Sequence, residues 1–494
     1  MAERAAPDFS ASAIADRVRR RETSALDAVR DAFARIDSVD ATLHAFCTLD
    51  RPGALAQASA IDARLAASET VGPLAGVPVA VKDLIATRGL RTTFGSPLYA
   101  DFVPEEDDVA VARLRAAGAI VVGKTNSSEF GYGAVGHNAL FATTRNPWNT
   151  ALTPGGSSAG TAAAVAARTV PFGLGSDGGG SIRIPASLCG LVGMKASWGR
   201  VPLYPGCRDE RLPGASGWES LEHIGPLALC VADIALALGV LAGPSARDRH
   251  ALPIEAGAFA LAAPETLRGA RAVFSRTLGF AAIDPEIGDI AARAAQRFAD
   301  ALGLDLDAGD PPIDDPQPCF EALVALDTDR AGLRRLAAGR AHRFAPPLAR
   351  LLERGWTADE FTQAILERKK LFNAVSKFMD GCEFLLTPTT ATAAFAIGKD
   401  DPDTLGGARA SPGAWTPFTA LANLTGQPAA SVPAGFTADG RPVGLQIVGR
   451  ALADARVLTA CAAYEIVLPW SHLVPPVAAR AAAMAVPGAE PTFA

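Results

Sequence analysis

Three short stretches of the chain carry residues able to do nucleophilic chemistry. Gly175-Ser176-Asp177-Gly178-Gly179-Gly180-Ser181-Ile182-Arg183 sets three successive glycines between an acid and a serine. Glycine lets the backbone turn sharply, so neighbouring N–H groups can converge into an anion nest. A serine closing such a nest is placed to attack a carbonyl, while the nest holds the oxygen that becomes negative. The plainer reading of the same residues is a tight turn leading into a helix. Gly156-Ser157-Ser158-Ala159-Gly160 matches a nucleophile-elbow pattern that would make Ser158 the attacking group. That elbow needs a buried strand directly before it, and Asn149-Thr-Ala-Leu-Thr-Pro154-Gly155 reads as a loop. Gly118-Ala-Ile-Val-Val-Gly123-Lys124-Thr125 spells a phosphate-loop pattern. Its middle residues favour being a strand themselves, and Gly118 reads as a helix C-cap, so the match is formal only.

A serine nucleophile needs a base. Only seven of the 46 basic residues are lysine, so a lysine in apolar surroundings stands out. Lys82 follows Val77-Pro-Val-Ala-Val81, an almost wholly apolar run. Burial disfavours an ammonium and lowers a lysine pKa by up to about 3–5 units. A neutral amine near pH 7 can act as a general base. A lysine reaching out of a strand end to solvent fits the local sequence equally well.

These residues must be held by a scaffold. Residues 10–36 read as two amphipathic helices split at Arg21–Thr23, and residues 54–67 as a third. From Gly72 short apolar runs bounded by Gly and Pro alternate with helical patterns: 77–81, 119–122 and 172–175 against 108–117 and 159–167. That alternation predicts an α/β layer with a largely parallel sheet. The small residues after Ser158 predict close helix packing. Residues 280–385 read as a helical insert, with strand signals returning at 384–386, 430–432 and 443–448. One sheet is thus expected from both ends of the chain. Residues 1–475 are read as one domain, with a frayed tail at 476–494.

Composition narrows the class. The 494 residues are 49% hydrophobic and 20% charged, which excludes disorder, and the net charge of −6 argues against nucleic acid. Seven scattered cysteines without a C-x-x-C pair indicate reduced thiols in a cytoplasmic protein. Six histidines without ligand spacing predict no metal. Residues 225–244 are apolar but carry Asp233 in mid-run, so a strand followed by a helix near Asp233 is expected in place of a membrane span.

Taken in order, several motifs resemble the amidase signature family of serine hydrolases. They are Gly76-Val-Pro-Val-Ala-Val-Lys82-Asp83, Gly123-Lys-Thr-Asn126, Asn146-Pro-Trp148, Gly155-Gly-Ser157-Ser158 and Gly175–Gly193. The core of the match covers about residues 70–205. Weaker similarity runs through Ile224-Gly-Pro226 and Gly426-Gln-Pro428 to Pro442-Val-Gly444-Leu-Gln446. The resemblance implies a large mixed, mostly parallel twisted β-sheet covered by helices on both sides. It implies a Ser-cis-Ser-Lys triad with Ser181 as nucleophile, Ser157 as bridge and Lys82 as base. Backbone N–H groups of Gly178, Gly179, Gly180 and Ser181 would form the oxyanion hole. Ser158, Asp177 and Arg183 would support the loop, and Gly131, Tyr132 and Gly133 would line the substrate. No cofactor is implied.

The sequence departs from the family pattern in places. Gly178 replaces a bulkier residue, which suggests a more mobile nest. Ala159 stands for the usual Gly, Ala196 for the usual Pro, and His223 stands where an acid is common.

The expected activity is hydrolysis of carboxamides through an acyl-enzyme, extending to anilides, esters and carbamates, the last a urethanase activity. A hydrophobic or aryl small molecule is expected as substrate, from Phe141, Trp198, Tyr204, Trp218, Phe320 and Phe344. No membrane or nucleic-acid partner is expected, and a homodimer is mildly preferred. The alternative is membership of a tRNA-dependent amidotransferase complex, as one of its subunits. Those subunits usually carry Gln after the nest arginine, where this chain has Ile184.

Overall fold

A computed structural model describes residues 9–206, 211–215, 217–340 and 343–479. The apolar runs become strands with nearly the expected bounds. The first six are β1 Phe46–Leu49, β2 Pro78–Lys82, β3 Ile120–Thr125, β4 Phe172–Ser176, β5 Val192–Lys195 and β6 Ile224–Ala228. They are followed by β7 Arg271–Phe274, β8 Asp305–Ala308, β9 Phe384–Pro388 and the short pair β10 Thr404–Leu405 and β11 Ala408–Arg409. The last two are β12 Ala429–Phe436 and β13 Pro442–Gly449. Apart from the β10–β11 ribbon, they form one sheet in the order β1-β3-β2-β4-β6-β5-β12-β13-β9-β7-β8.

This is the large mixed sheet expected. One parallel block is β3-β2-β4 and another is β9-β7-β8. Antiparallel pairs join them, from β4-β6 through β6-β5, β5-β12 and β12-β13 to β13-β9. The C-terminal hairpin enters beside β5, which is how both ends of the chain share one sheet. Four strands of the large sheet, β1, β5, β7 and β8, lie outside the runs read as strands in the sequence. β7 is four residues long, and β8 lies inside the expected helical insert with three of its four residues exposed. β8 is the sheet edge and needs no apolar run, whereas β7, paired on both sides, has one of only three residues, 272–274.

Strand residues alternate between two cores. Phe384, Leu386, Ala430, Val432 and Ile447 face the larger core, under the N-terminal helices Ala11–Arg19 and Ala25–Leu43 and the helices Val231–Leu241, Pro285–Leu302 and Asp454–Val467. Leu385, Ala429 and Val448 face a second core beneath the insert helices Gln317–Asp327, Pro346–Glu353 and Ala358–Asp380. The two sides of the sheet are therefore covered by different parts of the chain. The 225–244 run resolves into β6 and the helix Val231–Leu241, in which buried Asp233 accepts hydrogen bonds from Ala11 and Ser12 at the N-terminus of the first helix. Among the described residues no helix is long and apolar enough to cross a membrane. Cys189, Cys382 and Cys461 are buried thiols, whereas Cys207 and the tail from 480 lie outside the described residues.

The helix Ala159–Ala166 is wholly buried, and its small residues are there because backbone lies against it. A Cβ at Gly160 would stand 2.2 Å from the Ala45 carbonyl oxygen and 2.4 Å from the Asn126 nitrogen. Gly160→Ala should therefore destabilise the protein by about 1–3 kcal/mol or more in urea denaturation, since neither contact is a movable side chain. Gly239→Ala is the contrast, because a Cβ there, in the exposed last turn of the helix Val231–Leu241, meets nothing within 4 Å. It should raise stability by about 0.5–1 kcal/mol.

Candidate active site

β2, β3 and β4 run parallel, so their C-terminal ends lie together. Lys82 ends β2 and Ser176 ends β4. Crevices at the carboxyl ends of parallel strands are where α/β sheets bind ligands. Lys82 has no exposed surface, and its Nζ lies 2.7 Å from Ser157 Oγ, 2.9 Å from Ser176 Oγ and 3.3 Å from the Ser176 carbonyl. The reading of Lys82 as a solvent-reaching strand end is thereby excluded. Burial lowers its pKa to about 8, while Glu222 and Asp177 pull the other way.

Ser157 follows a cis peptide bond from Gly156. It lines a chamber of about 50 Å³ together with Ser176, Ser181, Gly178 and Glu222. Ser181 also lines a cleft of about 480 Å³, so its side chain sits where chamber and cleft meet. Lys82, Ser157 and Ser181 are thus brought to one place from β2, the loop before a buried helix, and the turn after β4.

Ser158 is not an exposed elbow nucleophile. Its Oγ accepts from Ser176 N–H at 3.3 Å and donates to the Ser176 carbonyl at 3.2 Å. Its own N–H donates to the Ser181 carbonyl, so it ties the three segments together. The phosphate-loop match dissolves as well. Residues 120–125 are strand, and Lys124 Nζ is buried and donates to Thr87, Thr92 and the Ile85 carbonyl.

The loop after β4 is held by a buried ion pair. Arg183 donates to Asp177 from Nη2 at 2.8 Å and from Nε at 3.0 Å. Arg183 also meets Asn423, Gln446 and the Thr419 carbonyl. Burial alone would raise the Asp177 carboxyl, but Arg183 and Asn423 hold it well below the usual range.

The same carboxylate revises the expected oxyanion hole. Asp177 Oδ1 accepts the Gly180 N–H at 2.8 Å, so that donor is already engaged. Gly178, Gly179 and Ser181 keep N–H groups with no acceptor among the described residues. Gly178 does not mark a loosened nest either. A Cβ there would fall 2.2 Å from the Trp218 ring, so the indole occupies the space a larger residue would need.

Gly131 lies against Ser157 and lines both chamber and cleft, while Tyr132 and Gly133 line the cleft. The Tyr132 hydroxyl is spent, bonded to Thr328 and accepting from Trp218 Nε1 at 2.7 Å. Trp218, Phe320, Trp356, Trp415 and Ile184 give the rest of the cleft apolar faces, beside the charged Glu321, Arg350, Arg354, Asp400 and Asp401. Of the six aromatics expected near the substrate, Trp218 and Phe320 reach the cleft. Trp198 instead lies in a separate groove, and Phe141 and Tyr204 lie beneath Arg91 and Arg247.

Trp356, Trp415 and Glu222 join the site without any mark in the sequence. Glu222 lines the chamber with a second carboxylate, Asp108, and stands one place before His223, the position where the family pattern has an acid. The β4–β6 ladder continues one step, Asp177 and His223 exchanging backbone hydrogen bonds, and this carries Glu222 to the chamber. His223 turns to Lys195, its Nε2 3.1 Å from Lys195 Nζ.

Arg183→Met should cost about 3–5 kcal/mol in denaturation experiments, because it strands a buried carboxylate. Asp177→Asn combined with Arg183→Met should lose less than the two single losses added together.

The chain is similar to known proteins over most of its length. The family model described as Amidase matches residues 27–458. A glutamyl-tRNA(Gln) amidotransferase subunit of Thermosynechococcus vestitus is 36% identical over 484 residues, covering 92% of this chain and 97% of that protein. The subunit of the same name from Geobacter metallireducens is 34% identical, covering 94% and 98%. Among solved structures, a bacterial aryl acylamidase of the amidase signature family superposes with a TM-score of 0.86. It is 29% identical and covers 96% of this chain and 98% of its own. The chain belongs to the amidase signature family of C–N-cleaving enzymes.

Proposed function

We propose that the chain is an amidase that hydrolyses carboxamides through an acyl-enzyme on Ser181. The observation that carries this reading is the buried Lys82 amine 2.7 Å from Ser157, in a chamber that Ser181 also lines. Neutral Lys82 takes the Ser157 proton as Ser157 takes that of Ser181. A hydroxyl donates and accepts at once, so it suits this shuttle. Ser181 Oγ then bonds to the acyl carbon, and the carbonyl oxygen gains the negative charge. The N–H groups of Gly178, Gly179 and Ser181 receive that oxyanion; losing one such donor typically costs about 3–4 kcal/mol. As the C–N bond breaks, the Lys82 ammonium returns its proton through Ser157 to the departing amine. Water repeats the sequence on the ester and releases the acid.

The aromatic side chains in the cleft beside Ser181 support a hydrophobic or aryl group on the acyl or amine side, with anilides, esters and carbamates as further substrates. The likeness to an aryl acylamidase supports the same reading. A second reading, in which the chain works inside a tRNA-dependent amidotransferase complex, is favoured by the sequence relatives. Ile184, buried at the cleft wall where such a relative is expected to carry glutamine, favours the first.

The purified chain alone should cleave aryl amides and anilides faster than aliphatic amides or glutamine. Glutamine-only turnover that rises on addition of the other amidotransferase components would establish the second reading instead. Ser181→Ala and Lys82→Arg should abolish turnover with folding intact, since a guanidinium does not deprotonate. Ser158→Ala should keep activity; a dead Ser158→Ala beside an active Ser181→Ala would move the nucleophile to Ser158. Because Lys82 must be neutral, kcat/KM should rise with pH through about 8, well below the ordinary lysine range.

A further inference from the structure

Chamber and cleft meet at Ser181, and Trp218 is a wall of both. The two spaces differ greatly in size, about 50 Å³ against about 480 Å³. Ser157 lines the chamber and not the cleft. We propose that Trp218 is a specificity-determining residue that confines the leaving-amine side of the substrate to ammonia or a small amine, so that the preferred substrates are primary carboxamides of bulky, apolar-faced acids.

The proposal rests on the amidase reading above and assigns the side that reading left open. In that mechanism the departing nitrogen takes its proton from Ser157, so it must come within hydrogen-bond reach of Ser157 Oγ. The amine side of the scissile bond therefore enters the chamber, and the acyl side runs into the cleft. Volume then decides what each side can be. A benzene ring fills a cavity of about 150 Å³, so an aryl amine does not fit a chamber of about 50 Å³. The cleft, at about 480 Å³, is large enough for a drug-sized group. Polarity points the same way. Glu222 and Asp108 line the chamber. An apolar amine would cover these carboxyl groups without giving them hydrogen bonds, which is costly, whereas ammonia brings its own N–H donors. The reaction balances: Ser181 Oγ bonds to the acyl carbon and the C–N bond breaks. The proton Ser181 gave up returns from Lys82 through Ser157 to the nitrogen, ammonia leaves, and water releases the acid.

Trp218 sets the limit because its indole is fixed in place. An ideal Cβ at Gly178 would stand 2.2 Å from Trp218 Cε3 and 2.7 Å from Cζ3, so the benzo edge of the indole lies directly on the glycine nest. Nε1 donates to the Tyr132 hydroxyl at 2.7 Å, and the two rings meet edge-on with centroids 4.9 Å apart. Phe320 stands edge-on to the indole at 6.2 Å. The Trp218 backbone has a φ of 60°, a left-handed conformation that is costly for so large a side chain. Its carbonyl accepts the N–H groups of Leu221 and Glu222, both at 2.8 Å, which holds that conformation. Phe94 and Phe130, which also wall the chamber, are buried in the core beneath the insert helices. Removing either would open the core, whereas removing the indole opens the chamber into the cleft.

The test reads kcat/KM for benzamide, N-methylbenzamide, benzanilide and acetanilide. The parent should prefer benzamide to benzanilide by about tenfold or more, although aniline is the better leaving group, with N-methylbenzamide in between. Acetanilide, whose ring is on the amine side, should also be slower than benzamide. Trp218→Ala should raise the benzanilide-to-benzamide ratio by about tenfold or more over the parent, and Trp218→Phe, which keeps a ring, should raise it less. A purely structural role would slow both substrates together and leave the ratio where it was. A parent that cleaves benzanilide or acetanilide faster than benzamide, or an unmoved ratio in Trp218→Ala, would overturn the proposal. If Trp218→Ala does not fold, the ratio in Trp218→Phe decides in the same way. Ser181→Ala is run alongside: an active Ser181→Ala, or a parent inactive on all four amides, counts against the amidase mechanism itself and not against Trp218 alone.

Discussion

An amine is a base in neutral water only where its charged form is poorly solvated. The end of β2 supplies that condition. Its apolar strand runs between β3 and β4, so Lys82 emerges inside the sheet with no surface left for water. The groups around it are hydroxyls and a carbonyl, which take hydrogen bonds without a full neutralising charge. Burial therefore dominates, and the amine becomes easier to deprotonate. A carboxylate in direct contact would reverse that balance.

A few residues away the opposite choice has been made. Arg183 and Asp177 are equally buried but form a two-pronged pair within a closed set of polar partners. A buried pair of this kind is weak evidence of added stability. Its consequence is geometric: Asp177 gathers the Gly180, Ile182 and Arg183 N–H groups onto its oxygens. The turn after β4 is thus shaped by a charge whose ionisation is locked, beside an amine whose ionisation is left adjustable. The contrast separates residues that hold the site from residues suited to move protons within it.

The scaffold divides the labour in the same way. The parallel block and the turn after β4 build the chamber, while the insert contributes Phe320 and Trp356 to the cleft. The chamber's Ser157, Ser176, Gly178 and Ser181 lie in motifs that carry the family resemblance, and the cleft wall comes largely from outside them. Relatives with different named activities can therefore share this core over more than nine-tenths of the chain.

Local chemistry was readable from residues alone. Apolar runs bounded by Gly and Pro gave the strands near the site, because a strand buried on both faces needs little else. The glycine nest, the two serines and the lysine after an apolar run stood out for the same reason: each has a property intrinsic to its neighbours in the chain. What only the tertiary structure decided depends on residues far apart in sequence. The edge strand β8 carries no apolar signature and β7 beside it only a three-residue one, and their place comes from β8 pairing with β7 and β7 with β9. That Gly180 spends its N–H on Asp177, that Trp218 fills the space beside Gly178, and that Glu222 and not His223 faces the chamber all follow from a ladder and a packed ring. Hydrogen-bond partners and excluded volume belong to pairs of residues, and a linear chain names only one of each pair.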